Sequence, residues 1–113
     1  MTSFEAGDIV WVELDPTKGS EQGGRRPAIV LTNRDFNARD KRSIICPITR
    51  NITPWPTKVI LPSGMRVAGA VLVDQIRSVS RADRGFRFIE RAPESVLADV
   101  RAIAGALIGL SRT

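Results

Sequence analysis

The stretch from Asp15 to Leu31, DPTKGSEQGGRRPAIVL, gathers most of the groups in this 113-residue chain that could do chemistry. Lys18, Ser20, Glu21, Gln22, Arg25 and Arg26 bring cations, a carboxylate and hydrogen-bonding groups together with almost no apolar residue between them. Asp15-Pro16 marks an exit from a strand, because proline ends a ladder and disfavours helix in the residue before it. Gly19, Gly23 and Gly24 let a phosphate or another backbone come close. Such a composition also suits a plain solvated hairpin loop. What favours function is Arg26, directly before the apolar run Pro27-Ala28-Ile29-Val30-Leu31. A guanidinium at the mouth of a buried strand is held rigidly, as a binding or catalytic group must be.

The residues that are missing narrow the chemistry. There is no His and a single Cys, Cys46, which removes zinc sites, Ser-His-Asp triads and Cys-His pairs. No phosphate-binding GxxxxGK[ST] or dinucleotide GxGxxG pattern occurs, and a nucleotide cofactor is not expected. A carboxylate-only magnesium site stays conceivable, although Asp8, Asp15, Glu21 and Asp74 are scattered. What remains is cofactor-free and metal-free chemistry by Arg, Ser or Thr, carboxylates and backbone donors. RNA cleavage by the substrate's own 2′-OH fits that set. The protein then needs only to align the nucleophile and stabilise a pentacoordinate phosphorane.

Charge points to the same class of partner. The chain carries a formal +5, with an isoelectric point near 10.6. Between Lys18 and Lys58 stand nine Lys and Arg against three Asp and Glu, while the rest of the chain has eight against nine. The whole basic excess therefore lies in the segment that holds the candidate loop. A polyanion such as a nucleic acid is the natural ligand, with an ordinary basic surface as the plainer reading. One Cys leaves no disulfide framework, which fits a reducing cytoplasm. Met1 to Asp8 lacks the layout of a signal peptide, and no apolar run reaches membrane-spanning length.

The frame that must hold these groups is built from short strands. Gly7 to Asp15 alternates, with Ile9, Trp11 and Glu13 on one side and Val10, Val12 and Leu14 on the other; it is expected to be buried on much of both faces, with Trp11 in the core. Pro27 to Thr32 forms a second strand, and Asn33 to Lys41 a turn or short helix that Phe36 could anchor. Ser43 to Thr49, SIICPIT, is a third strand, placed by Pro47 at an edge or a bulge, with Cys46 as a small buried hydrophobe. Arg50 to Pro56 is a loop whose Trp55 suits either base stacking or capping one end of a barrel. Strands follow at Thr57 to Leu61 and at Gly69 to Val73, the latter leading straight through Asp74-Gln75 to Ile76-Arg77-Ser78-Val79, and a short final strand runs from Phe86 to Ile89. Pro93 opens a helix at its first position, and Gly109 ends it. Val96, Leu97, Val100, Ile103, Ala104, Leu107 and Ile108 form its apolar stripe and are expected to pack in the core. The expected fold is mainly β, a small antiparallel barrel with a C-terminal helix, in one domain over 1–113.

GDIVWVELDPTKGSEQGGRRPAIVL, then CPIT ending at Thr49, then VDQIRS over 73–78, together resemble the MazF/PemK (Kid) toxin family of bacterial toxin–antitoxin modules. The likeness runs from Gly7 to the C-terminal helix, and GSEQ-x-G-x-RP is its specific signature. It implies an SH3-like barrel of the PemK/CcdB toxin type, a homodimer, and an endoribonuclease that cuts single-stranded RNA at short sequences until an acidic antitoxin binds. By the same likeness Arg26 and Thr49 match the catalytic pair, Ser20, Glu21 and Gln22 the loop lining the site, and Asp74-Gln75 a motif pair on a later strand. Lys18, Arg25 and Trp55 complete the expected substrate-binding set. A guanidinium is a poor proton acceptor at neutral pH, so Arg26 suits charge stabilisation and Glu21 the general base. Position 25 varies in the family, and Leu72 stands where some members carry an Arg, so no role of that Arg transfers. The same barrel also carries gyrase-poisoning toxins without catalysis, and a plain RNA-binding module stays open.

Overall fold

The computed structural model describes residues 3–15 and 24–110. Seven strands make one antiparallel sheet: β1 (Asp8–Glu13), β2 (Arg25–Val30), β3 (Arg42–Thr49), β4 (Lys58–Ile60), β5 (Ala70–Leu72), β6 (Arg77–Ser80) and β7 (Arg87–Arg91). Their spatial order is β4-β5-β3-β2-β1-β7, with β6 pairing β3 beside β5. Helices α1 (Arg34–Arg39) and α2 (Arg81–Arg84) are short, and α3 (Glu94–Leu107) closes the chain. Among the described residues no ladder joins β4 to β7. The sheet curls into an open barrel.

The alternation of β1 sorts its side chains into two apolar clusters. Ile9 faces Ile29, Cys46, Ile48, Val71 and Val73, and Val96 and Val100 of α3 cover them. Val10, Val12 and Leu14 meet Ala28, Val30, Ile45 and Val79 inside the curl, beside Phe4 and Phe86. Those two rings stand edge to face, 5.4 Å between centroids, an arrangement favoured by their quadrupoles. The register Ile9↔Ile29 and Val10↔Ala28 keeps each cluster on its own face.

Several expectations need correcting. Pro47 lies in a strand with neighbours on both sides, not at an edge. It pairs with Ala28 of β2, while on the other side β3 follows β6 up to Ile45 and β5 from Ile48. Proline is tolerated because it falls at this change of partner. Phe36 does not anchor α1 and is exposed. Its neighbour Asn37 does so, donating to the carbonyls of Phe4 and Thr32 and accepting from the Thr32 and Ser43 hydroxyls. Pro93 is the cap residue of α3, one place before the helix. The apolar stripe is buried at Val96 and Val100 but emerges at Leu107 and Ile108, so its C-terminal end is not core. Gly109 does close the helix, at φ 81°, a left-handed conformation that suits glycine. Helix α2 has no counterpart in the strand-and-turn expectation.

Cys46 is a free, fully buried thiol. Burial, and secondarily the Asp74 carboxylate, pushes its pKa up to about 12. At pH 8 the reactive thiolate is then about one part in ten thousand, far below that of a free thiol. Native protein is expected to resist iodoacetamide at pH 8 and to react once unfolded in guanidinium. Labelling of the native chain at the rate of free cysteine, followed by mass spectrometry, would contradict this burial.

Candidate active site

The ends of β1, β2 and β3 surround a cleft of about 560 Å³ lined by Trp11, Gly24, Arg25, Arg26, Pro27, Ile48, Thr49, Arg50 and Ala68. β1 and β2 contribute Trp11, Arg25, Arg26 and Pro27 to its walls, with Trp11↔Pro27 and Glu13↔Arg25 on one face of the pair and Val12↔Arg26 on the other. Trp11 and Pro27 continue the face that carries Ile9 and Ile29. One step further along, the cover supplied by α3 has ended, and the face opens to solvent.

Trp11 is therefore not a core residue. It is 38% exposed and carries the Arg25 guanidinium over its ring, 5.7 Å from the centroid. At partly exposed sites such a cation–π contact contributes about 0.5–1 kcal/mol. The signal was present in the alternation: a face that runs Ile9, Trp11, Glu13 toward a charged residue is leaving the core.

Arg26 is the second residue of β2, placed by the ladder and half-buried. Thr49 is the last residue of β3 and is buried. Its Oγ1 accepts the Asn51 N–H at 3.2 Å, which leaves the hydroxyl hydrogen to donate. Arg50 follows Thr49 into the cleft; sequence reasoning did not single it out, although it adjoins a candidate catalytic residue. Three guanidiniums and no carboxylate stand among the described lining residues.

The neck of the candidate loop is held closed. Leu14 N–H donates to the Gly24 carbonyl at 2.9 Å, and Gly24 N–H to Asp15 Oδ1 at 2.8 Å. From α2, Arg84 Nη1 donates to the Asp15 carbonyl at 2.6 Å. Lys18, Ser20, Glu21 and Gln22 lie outside the described residues.

Of the other expected site residues, Asp74 and Gln75 occupy a 3₁₀ turn, Val73–Gln75, after β5 and are not in the walls of the cleft. Trp55 is 66% exposed on the loop between β3 and β4. Lys58 Nζ ties that loop by donating to the carbonyls of Asn51 and Thr53, both at 3.1 Å. Trp55 does not line the cleft either; Trp11 is its aromatic residue.

Comparison with known proteins adds the following. Residues 5–107 match the model of a family described as PemK-like, MazF-like toxin of type II toxin–antitoxin systems. The endoribonuclease toxin MazF of Escherichia coli K12 is 41% identical over 81 residues, 72% of each chain. Among solved structures, MazF of Deinococcus radiodurans superposes with a TM-score of 0.91 at 38% identity, covering 96% of this chain and 99% of its own. A MazE–MazF structure from the same organism gives 0.87 at 39%, covering 98% and 100%.

If Trp11 offers a face to a nucleic-acid base, Trp11→Ala should weaken binding of a single-stranded RNA by about 1–3 kcal/mol. Filter binding at fixed salt reads this, and affinity within twofold of the parent would rule out stacking on Trp11.

Proposed function

This chain belongs to the PemK-like, MazF-like toxin family of type II toxin–antitoxin systems, and from that membership we propose that it is a sequence-specific endoribonuclease toxin. The substrate is single-stranded RNA, and its own 2′-OH attacks the adjacent phosphorus. The P–O5′ bond breaks as the 5′-oxygen takes up a proton from water, leaving a 2′,3′-cyclic phosphate and a 5′-OH. The observation that carries this reading is the convergence of Arg26 and Thr49 on one cationic cleft. Arg26 opposes the charge that builds on the phosphorane oxygens. Thr49 donates its hydroxyl to one of them, and Arg25 and Arg50 hold flanking phosphates. Glu21 takes the 2′-OH proton in this scheme, with Lys18, Ser20 and Gln22 binding substrate beside it.

The attacking oxygen belongs to the substrate, so the reaction requires no metal-activated water. Cleavage of a labelled RNA by the purified chain should persist in EDTA and yield cyclic-phosphate ends. Arg26→Ala should lower kcat by about 10²–10³, as removal of one preorganised donor does. Activity lost on chelation and restored by magnesium would overturn the mechanism, and an Arg26→Ala protein retaining over about a third of parental kcat would remove Arg26 from it. Binding without cleavage would leave the RNA-binding reading, and inhibition of gyrase alone the gyrase-poison reading.

The reading takes residues 1–113 as one toxin domain that works in the bacterial cytoplasm on messenger RNA. No helix among the described residues is long and apolar enough to cross a membrane. Two further partners belong to it. A second copy would cover the emergent end of α3, where Leu107, Ile108 and Leu110 are exposed beside a cleft lined by Pro56, Ala102, Ile103 and Ala106. An acidic antitoxin would occupy the cationic cleft by coupled folding and exclude RNA. Sedimentation should show a dimer that Leu107→Lys converts to monomers, and added antitoxin should abolish cleavage and RNA binding together. A parent that sediments as a monomer at micromolar concentration, or a stable ternary complex with RNA, would remove the corresponding partner.

A further inference from the structure

The connection from β4 to β5, residues 61–69, runs as a strap across the gap between the two ends of the sheet. At its middle both carboxylate oxygens of Glu90 on β7 accept backbone N–H groups, from Arg66 at 3.1 Å and from Val67 at 2.8 Å. The Arg66 guanidinium also donates to the Ile89 carbonyl at 3.3 Å. At its far end Gly69 adopts φ 137° and lies against the Thr49 backbone. A Cβ on Gly69 would stand 2.1 Å from the Thr49 carbonyl oxygen and 3.1 Å from its carbon, which no real contact allows. Ala68, between these two anchors, lines the cleft.

Thr49 needs such a support. The ladder between β3 and β2 ends at Pro47, so β2 does not fix Thr49. On the other side Thr49 has the last register pair with β5, Ala70, and the next residue back along the strap is Gly69. Where the strap lies therefore sets where the Thr49 hydroxyl points.

We propose that Gly69 and Glu90 are positioning residues for Thr49: Glu90 moors the strap to β7, and the bare backbone of Gly69 lets it seat against Thr49. The proposal rests on the reading of Thr49 as a phosphate-contacting group. Neither residue touches substrate; both act through Thr49.

The test is cleavage kinetics for Glu90→Ala, Glu90→Gln and Gly69→Ala, each made in the parent and in Thr49→Ala. Misplacement of a reacting group by about 1 Å costs up to about 10²-fold. Glu90→Ala is expected to lower kcat about tenfold with KM nearly unchanged, and Glu90→Gln, which keeps one acceptor oxygen, about threefold. In Thr49→Ala the same substitutions should cost less than about twofold, because residues acting through one group are not additive. Equal costs in both backgrounds, or no cost in the parent, overturn the proposal. If Gly69→Ala does not fold, the two Glu90 variants decide alone. A fully active Thr49→Ala also overturns it while leaving the ribonuclease reading intact. A parent chain that cleaves no RNA instead removes that reading. In that event the NMR resonances of the Thr49 amide and methyl decide: shifted in Glu90→Ala, they support the mooring, and unmoved, they overturn it.

Discussion

Along one edge of β3 the ladder passes from β6, which pairs as far as Ile45, to β5, which begins at Ile48. A strand can keep two partners on one edge only if they diverge, and Pro47, which has no N–H to lose, occupies the interval. That divergence lets the sheet curl, and it carries the last residues of β3 beyond the reach of β2. Thr49 and Arg50 thus emerge at the rim next to Arg25 and Arg26, which start β2. The cleft is the space between a strand that is ending and one that is beginning.

Coverage by α3 sets the other boundary. The pair Ile9 and Ile29 is sealed beneath Val96 and Val100, whereas the next pair on the same face, Trp11 and Pro27, is open. An apolar floor with a cationic rim results, suited to a ligand with flat rings and a charged backbone. A polyanion entering the cleft meets these cations at its rim.

Much of this was readable in the residues. Alternation in β1, the apolar run of β2 and the stripe of α3 are local patterns, and local patterns specify elements. The proximity of Arg26 and Thr49, twenty-three positions apart, followed only from a family likeness, since no periodicity reveals which strand ends meet. Trp11 was misread because its neighbours are core residues; its exposure depends on where a helix eighty residues later stops covering the sheet. Phe36 and Asn37 exchanged roles for a different reason. Hydrophobicity ranks Phe first for burial, but Asn37 fills four hydrogen bonds at one point, which removes the usual cost of burying an amide. Asp74 and Gln75 are not among the lining residues of the cleft, and Lys18, Ser20, Glu21 and Gln22 fall outside the described residues.

The pairing of β1 with β7 has a consequence for the order of synthesis. β1 is made before every strand it pairs with, and its outer neighbour is residues Arg87–Arg91, with the helix that seals its apolar face later still. Contacts this distant in sequence delay folding. A nascent chain that stops short of Arg87 leaves β1 with a bare edge and Ile9, Ile29 and Cys46 open to water. The strap has no Glu90 to hold it in such a chain. The cleft is therefore completed only after Arg87–Arg91 and α3 have been made, so until then a ribosome making this protein carries an unfinished site.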